Sequence, residues 1–435
     1  MGKNNFRKIA TITLFESAVQ WYCFLLYGTA AGTVFHKVFF SQTGNGTTAL
    51  ILSYMSFAIG YIAGPFGAIF FGHIGDRKGR KVTMYASLLM MGISTSIIGI
   101  LPPAASAGVG VVIVLQLMRL AQCFGRGGTW GGGILMAYEN VPENKRSFYA
   151  AIPQIGLPIG FGLSSILIAV PTLLLPEDIF FTWGWRIPFL AAIILTVIVI
   201  RQKGEMMETE DYKKAQAKLE AEEAEGKKHK VGFIPMVKGY WKTLLLGCGT
   251  RWVDGTFYNI FIVWILSYCI NWLGMPLIQT YIITIIACIF KIPFTLFGGW
   301  CAQKLGNTRT FVIGALASAV LSIPTLKVIE LSKGNLAITI IGIVLGWSIA
   351  YNLIWAVISS LWSSYFETEV RYSGISFVYH VPSFLVAGMV PTICTLLINY
   401  GNGDTIYVGI YSTVVALISA ACALALKARH DRGEK

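Results

Sequence analysis

The chain has 435 residues, of which 55% are hydrophobic and 13% are charged, and its mean hydropathy is +0.65. A soluble globular protein carries about 25% charged residues, so this composition excludes a soluble enzyme and predicts an integral membrane protein. A net charge of +13 would point to nucleic acid in a soluble protein, but here the basic residues are spread over many short loops, which excludes that partner.

Apolar segments long enough to cross a bilayer recur along the whole chain. A transmembrane helix needs about 20 predominantly apolar residues, and Pro102, Pro103, Pro171 and Pro176 predict turns between such helices. One long polar segment, rich in Ala, Glu and Lys, covers about 202–240 and leaves six spans on either side of it. The predicted spans lie near residues 11–35, 48–72, 82–102, 107–137, 148–170, 187–201, 241–270, 276–301, 309–327, 335–361, 373–399 and 405–427.

These spans predict an all-α membrane protein with twelve transmembrane helices in a 6+6 pseudo-repeat. We expect an N-terminal six-helix bundle (1–200), a cytoplasmic connector (201–240) and a C-terminal six-helix bundle (241–435). Of the 34 lysines and arginines, 26 fall in segments on the side of the N-terminus and 4 in the opposite loops. The positive-inside rule therefore predicts that both termini are cytoplasmic, in a multi-pass protein of the plasma or inner membrane.

The cysteines and titratable residues give no sign of an enzyme. None of the eight cysteines forms a C-x-x-C pair, and all lie in apolar runs, so we interpret them as small apolar packing residues. Neither a metal-ligand pattern nor a nucleophile with its base is visible. We therefore expect no metal, no cofactor and no enzymatic activity, and we expect a monomer.

The loop after the second span carries the most specific motif, GHIGDRKGRK at residues 72–81. Its glycines allow a tight turn, and the carboxylate of Asp76 suits a helix N-terminus. The motif resembles the G-x-x-x-D-R-x-G-R-[RK] loop of the major facilitator superfamily. That resemblance implies a gating role for the loop, with Gly72, Asp76, Arg77, Gly79 and Arg80 latching the outward-open state. The equivalent loop of the second half has Gln303 in place of the aspartate.

Four further segments resemble the metabolite:proton symporter branch of that superfamily: residues 20–28, 119–132, 183–190 and 370–374. With them the resemblance covers nearly the whole chain and implies proton-coupled transport, since members of the branch carry citrate, 2-oxoglutarate, shikimate, betaine or proline. The chain departs from the branch at ionisable positions, where it has Gln20, Cys23, Gly64 and Thr129. These residues do not support a direct transfer of the branch's proton site.

Charged residues inside the spans are the strongest functional signal. Arg119, Arg126, Arg251 and Lys291 lie within spans. The acids there are Glu16 and Asp254, which leaves a formal charge of +2. An ionisable group at the bilayer centre costs at least about 2.5–3.5 kcal/mol, so a bound anion is the simplest compensation. The residues in these spans repeat at helical period, which predicts that they face the protein interior.

We therefore hypothesise a secondary transporter that moves a small organic anion by alternating access and that is, by resemblance, an H⁺ symporter. We assign substrate binding to Arg119, Gln122, Arg126, Trp130, Gln154, Arg251, Lys291, Asn352, Trp355, Tyr379, Tyr27 and Gln20, and proton coupling to Asp254, Glu16 and His380. The alternatives are a compatible-solute symporter for betaine-like or proline-like zwitterions, and a membrane sensor that binds its ligand without transport.

Overall fold

The computed structural model describes residues 3–42, 45–78, 80–139, 146–203, 233–367 and 370–434. Within these ranges the chain is almost entirely helical and contains no strand. Over the described ranges, twelve long helical segments, several built from consecutive sections, follow one another along the chain. They are α1 (Lys3–Thr33), α2 (Gly46–Ile59, Gly60–Ile62, Ala63–Lys78), α3 (Arg80–Ile100), α4 (Val109–Glu139), α5 (Arg146–Ala150, Pro153–Ile155, Gly156–Leu174), α6 (Glu177–Ile179, Phe180–Gly184, Arg186–Lys203), α7 (Phe233–Asn259, Ile260–Trp264, Ile265–Asn271), α8 (Leu277–Leu305), α9 (Asn307–Leu331), α10 (Leu336–Ile343, Val344–Ala350, Asn352–Tyr365), α11 (Arg371–His380, Phe384–Gly388, Val390–Tyr400) and α12 (Ile406–Asp431).

Ten of these segments, α2 to α10 and α12, are long and apolar enough within the described residues to cross a membrane. The other two are α1, with 31 residues, and α11, whose sections have 10, 5 and 11 residues. The twelve segments agree with the predicted spans. The prediction for Pro171 was wrong, because this proline lies inside the helix Gly156–Leu174 and the chain leaves that helix at Leu175.

Most of the predicted connector, residues 204–232, lies outside the described ranges. α7 begins at Phe233 but is interrupted at Tyr240, where φ is −117° and ψ is 18°. The break is close to the predicted start of the second half at residue 241. The division of the chain at residues 200 and 241 stays a prediction.

In the part of the chain that the structure describes, four π-helical sections interrupt the long helices: Phe180–Gly184, Ile260–Trp264, Val344–Ala350 and Phe384–Gly388. Each adds a residue to a turn and so rotates the side chains that follow it, and such sections are frequent at functional sites. Three of the four lie in the second half, in α7, α10 and α11. Those three helices also carry most of the second-half residues of the candidate site.

Close helix packing within the first half depends on glycine. α4 packs against α2 and α3, and α1 packs against α5. A Cβ atom on Gly127 of α4 would lie 2.4 Å from the Ala68 backbone nitrogen and 2.5 Å from the Gly64 carbonyl oxygen. Neither backbone atom can move aside without shifting α2, so the distance between the two helices requires glycine at this position.

The main contacts between the halves join α5 to α8, α2 to α11, and α1 to the π-helical section of α7. The second half is itself built on the packing of α12 against α9 and α7, and of α10 against α8 and α9. The candidate site lies where the helices of the two halves meet.

We expect Gly127→Ala to lower the melting temperature of the purified protein, because the added methyl group forces α2 and α4 apart. Overpacking of this kind costs about 1–3 kcal/mol. Gly110→Ala is the matched control in the same helix, since no heavy atom lies within 4 Å of the position that its added methyl carbon would occupy. Thermal unfolding of both variants in detergent checks the prediction, which fails if Gly127→Ala is as stable as Gly110→Ala.

Candidate functional site

Buried charged and aromatic side chains from both halves form a continuous series of contacts, which we call the central cluster. Its members are all at most 3% exposed. They come from α4 in the first half and from α7, α8, α10 and α11 in the second half. The cluster consists of Arg126, Tyr379, Arg251, Asp254, Tyr351 and Lys291.

Tyr379 joins the two halves within this cluster. Arg126 donates a hydrogen bond from Nη2 to the Tyr379 hydroxyl, and the guanidinium carbon of Arg251 lies 4.4 Å from the centroid of the Tyr379 ring. Arg126 also lies over the rings of Phe24 and Trp21, at 3.8 and 4.7 Å from their centroids. One tyrosine therefore contacts a cation from each half.

The carboxylate of Asp254 is held by donors on both of its oxygens. Arg251, one helical turn earlier, forms an ion pair with Oδ2, and the Tyr351 hydroxyl donates to Oδ1 at 2.5 Å. Arg251 is 2% exposed and Asp254 is 1% exposed, so water does not screen this pair. Two donors and low exposure fix the orientation of the carboxylate.

Lys291 completes the cluster from α8. Its ammonium group lies 4.4 Å from the ring centroid of Tyr351 and 4.6 Å from that of Trp347, and it donates to the Trp347 carbonyl at 3.4 Å. The neighbouring Asn352 donates to the backbone carbonyl of Lys291 at 2.9 Å, which fixes α10 against α8. The ammonium group is fully buried.

Arg119 lies in a separate enclosure formed by the first half. Its guanidinium carbon is 4.4–4.6 Å from the ring centroids of Phe24, Tyr27 and Phe57. It donates to Gln122 and to the carbonyls of Phe24 and Phe57, at 3.5 and 3.4 Å. Both arginines contact the Phe24 ring, but the other contacts of Arg119 are with first-half residues, whereas Arg126 also reaches Tyr379 of the second half.

Gln122 and Tyr27 support this enclosure. Gln122 donates to the Cys23 carbonyl at 2.8 Å and to the Thr95 hydroxyl at 2.7 Å, which connects α4 to α1 and α3. The Tyr27 hydroxyl shares a hydrogen bond of 2.5 Å with Ser56 on α2. In the described residues these contacts tie helices of the first half together and do not reach the central cluster.

Gln154 and Trp355 connect α5 to α10 beside the central cluster. Gln154 donates to the Trp355 carbonyl at 3.3 Å, and the Trp355 indole donates to the Gln154 carbonyl at 3.0 Å. The Trp355 ring meets Trp21 edge to face at 5.4 Å. Gln20, one position before Trp21, is 3% exposed. Gln154, Trp355 and Trp21 therefore lie at the contact between the halves, and the predicted substrate-binding role of Gln154, Trp355 and Gln20 stays a prediction.

The three residues predicted to carry a proton have different positions. Asp254 belongs to the central cluster. The ring of His380 lies 4.9 Å from that of Tyr379, and a Cβ on Gly64 would lie 2.8 Å from its Nδ1, so His380 is enclosed between α11 and α2. Glu16 is buried on α1, 3% exposed and five positions before Trp21.

Several predicted residues cannot be assigned contacts. The surroundings of Gly72 and the side chains of Asp76, Arg77, Arg80 and Trp130 lie outside the described part of the structure, as does Gly79 altogether. The backbone there shows only that the helices Ala63–Lys78 and Arg80–Ile100 are separated by a single residue.

Sequence reasoning missed Tyr351, Trp21, Phe24 and Trp347. The residues predicted to bind substrate on α10 were Asn352 and Trp355, and the tyrosine directly before Asn352 was passed over. The π-helical section Val344–Ala350 ends immediately before Tyr351, and its extra residue changes which side chains share a face. The sequence feature that could have indicated these four residues is the abundance of aromatic residues in the spans that carry the buried cations.

Contacts between the halves lie on both sides of the central cluster. On the side where α1 ends, the Tyr54 hydroxyl donates to Ser267 at 2.6 Å, and Tyr281 donates to Thr33 at 3.1 Å. On the side where α1 begins, Ser147 donates to Asn307 at 2.9 Å. The described residues thus have a closed arrangement around the cluster.

A cavity of about 600 Å³ opens on the side where α1 ends, and Ser267 belongs to its lining. Its other lining residues include His36, Lys37, Asn45, Trp264 and Asn399. Burial, and secondarily the neighbouring Lys37 ammonium, lowers the pKa of His36 to about 4, so this imidazole is neutral at physiological pH. The cavity reaches Ser267, which accepts the hydrogen bond from Tyr54.

Comparison with known proteins agrees with this architecture. The Major Facilitator Superfamily model matches residues 21–391. The inner membrane metabolite transport protein YhjE of Escherichia coli (strain K12) is 33% identical over 98% of this chain and 96% of its own length. The shikimate transporter of the same organism is 31% identical, covering 97% and 94%, and the proline/betaine transporter of Salmonella typhimurium (strain LT2) is 27% identical, covering 98% and 84%.

Among solved structures, the partially occluded inward-open conformation of the xylose transporter XylE from E. coli superposes with a TM-score of 0.74. The superposition covers 96% of both chains at 14% sequence identity, so it shows a common fold. It confirms the predicted all-α, twelve-helix, 6+6 architecture. Together with the matches along the sequence, it shows that this multi-pass membrane protein transports metabolites and belongs to the Major Facilitator Superfamily.

Proposed function

We propose that this transporter moves a small organic anion, a mono-, di- or tricarboxylate, together with H⁺ by alternating access. The observation that carries the proposal is the central cluster, in which Arg126 from the first half and Arg251 from the second contact the same tyrosine, Tyr379. A solute bound there would touch both halves at once, as alternating access requires.

The charge balance supports an anionic solute. In the described ranges no carboxylate lies within 4.0 Å of the charged groups of Lys291 or Arg119. Burying an unpaired ion costs several kcal/mol, and a desolvated cation–π contact returns about 2 kcal/mol. The three rings around Arg119 can offset much of that cost, whereas Lys291 has two rings and one long hydrogen bond.

These differences suggest distinct roles. A guanidinium offers a planar fork to a carboxylate, so Arg126 and Arg251 would hold the first carboxylate of the solute. Lys291 would attract a second negative group. Arg119, Gln122 and Tyr27 would position the first half around Arg126. The remaining contacts would come from Gln154, Asn352, Trp355, Gln20 and Trp130.

The pair of Arg251 and Asp254 suggests how the proton is coupled. The solute carboxylate and the Asp254 carboxylate would compete for the same guanidinium. A proton on Asp254 neutralises it and releases Arg251 to the solute, so each of the two ligands favours binding of the other. Glu16 and His380 are the alternative proton carriers.

Alternating access would break the contacts on one side of the cluster while keeping those on the other. Tyr54–Ser267 and Tyr281–Thr33 would separate in one state, and Ser147–Asn307 in the other. We assign the side that carries both termini to the cytoplasm, from the distribution of basic residues. The loop with Asp76 and Arg80 would then stabilise the outward-open state, together with Gly72, Arg77 and Gly79.

The second candidate is a zwitterion symporter, which the aromatic rings of Trp21 and Phe24 favour. Such rings bind quaternary ammonium groups, and the similarity to a proline/betaine transporter points the same way. In this structure, however, both rings are already in contact with the Arg126 guanidinium. A sensor that binds without transport is the third candidate.

We expect purified protein in liposomes to take up radiolabelled shikimate, 2-oxoglutarate or citrate in preference to betaine. We also expect Arg126→Ala to weaken binding of that acid roughly 30-fold or more, because removing one partner of a buried charge pair costs about 2–5 kcal/mol. Arg432→Ala, at an exposed arginine near the C-terminus, is the matched control. Calorimetric titration of both variants measures the effect.

Transport of betaine alone would contradict the anion proposal, and binding without counterflow would identify a sensor. An unchanged affinity in a folded, monodisperse Arg126→Ala protein would remove this residue from the site.

We expect Asp254→Asn to separate solute movement from the proton gradient, because the amide cannot take up a proton. In liposomes the variant should keep exchange of labelled for unlabelled acid but lose accumulation driven by an acidic exterior. Glu16→Gln and His380→Gln are the comparison variants. If either of these loses gradient-driven accumulation while Asp254→Asn keeps it, the proton carrier is that residue and not Asp254.

A further inference from the structure

Tyr351 is the member of the central cluster that touches both an acid and a cation in the second half. Its hydroxyl donates to Asp254 Oδ1 at 2.5 Å, and its ring lies 4.4 Å from the Lys291 ammonium group. The ring is also stacked on that of Phe257, with an interplanar angle of 10° and 6.3 Å between centroids. The side chain is fully buried, so its position is determined by these contacts.

The backbone explains why the tyrosine is held in this place. The Tyr351 amide donates to the Gly346 carbonyl, five residues earlier, at 3.3 Å, so the π-helical section Val344–Ala350 ends at this residue. On one side of Tyr351 the Trp347 carbonyl accepts a hydrogen bond from Lys291, and on the other Asn352 donates to the Lys291 backbone. Both contacts attach this part of α10 to α8, while the hydroxyl attaches it to α7.

We infer that Tyr351 is a positioning residue for proton coupling: it holds the Asp254 carboxylate in the geometry that pairs with Arg251. The inference deepens the proposed function and rests on it for its role in transport. Once Asp254 is protonated it has no charge to pair with Arg251, and its new O–H group can donate a hydrogen bond. If the proton is on Oδ2, the oxygen that Arg251 leaves, the Tyr351 hydroxyl keeps donating to Oδ1, but to a neutral and weaker acceptor. If the proton is on Oδ1, the hydroxyl must release that oxygen or accept from it. In both cases the hydrogen bond that connects α7 to α10 is weakened or replaced.

The Asp254 carboxylate lies among charged and titratable groups from both halves of the chain. Arg251 precedes it on α7, and the groups on other helices all lie within the same buried region. They are Tyr61 on α2, Arg126 on α4, Lys291 on α8, Tyr351 on α10, and Tyr379 and His380 on α11. Of these, Arg251 and Tyr351 donate hydrogen bonds directly to the carboxylate in the described structure.

The test is a direct titration of the carboxyl group, which needs no substrate. Infrared difference spectra of the full chain in liposomes, recorded against pH, report the C=O stretch of protonated carboxyl groups, and the band absent from Asp254→Asn is that of Asp254. In Tyr351→Phe we expect the midpoint of this band to move by about one pH unit or more toward higher pH. The reason is that loss of a hydrogen bond to a charged carboxylate makes that carboxylate bind a proton about tenfold more tightly.

Tyr258→Phe is the matched control. This tyrosine is also buried, lies one turn after Asp254, and its hydroxyl has no hydrogen-bond partner among the described residues. Its removal should leave the midpoint unchanged. If Tyr351→Phe does not fold, Phe257→Leu provides a second variant, because loss of the stacked ring should displace Tyr351 and move the midpoint in the same direction.

Equal midpoints in Tyr351→Phe, Tyr258→Phe and wild type would overturn the inference, as would the absence of any band that depends on Asp254. Neither result would depend on whether an organic acid is transported. Failure of the proposed function would appear separately, as a lack of uptake by wild-type protein.

Discussion

The structure depends on how a membrane protein keeps buried positive charge in a low-dielectric interior. Arg119, Arg126, Arg251 and Lys291 are each at most 3% exposed, yet Asp254 is the carboxylate that the described residues place in an ion pair with one of them. Aromatic rings and backbone carbonyls provide most of the other contacts. These groups are weaker partners for a cation than a carboxylate, so under the proposed function the buried cations would still gain from binding an anion.

The same constraint links the two halves. Because Arg126 and Arg251 both contact Tyr379, the arrangement of charge in one half depends on the position of the other. Competition between a solute and Asp254 for Arg251 would add the proton to this linkage. Coupling would then follow from electrostatics, because neutralising the charge of Asp254 would change what Arg251 can bind.

Much of the fold could be predicted from sequence because the apolar interior of the bilayer requires long apolar helices, with basic residues in the loops between them. The central cluster was predicted in part, since helical period brings Arg126, Arg251 and Asp254 to the interior. Helical period places Arg119 and Arg126 on one face of α4, so it could not show that their surroundings differ. Those surroundings depend on side chains of other helices, such as the Phe24 ring, which contacts both arginines. Helical period also failed to identify Tyr351. The side-chain orientation of this residue depends on the π-helical section before it, which the sequence does not predict.

The central claim is that an organic anion and a proton bind together through Arg251 and Asp254. Its most direct test is calorimetric titration of the acid that wild-type protein transports, near pH 7, in buffers with different heats of ionisation. This measurement gives the number of protons taken up per bound anion. The account predicts net uptake approaching about one proton in wild type and none in Asp254→Asn. Anion binding without proton uptake in wild type, or with equal uptake in both proteins, would contradict it.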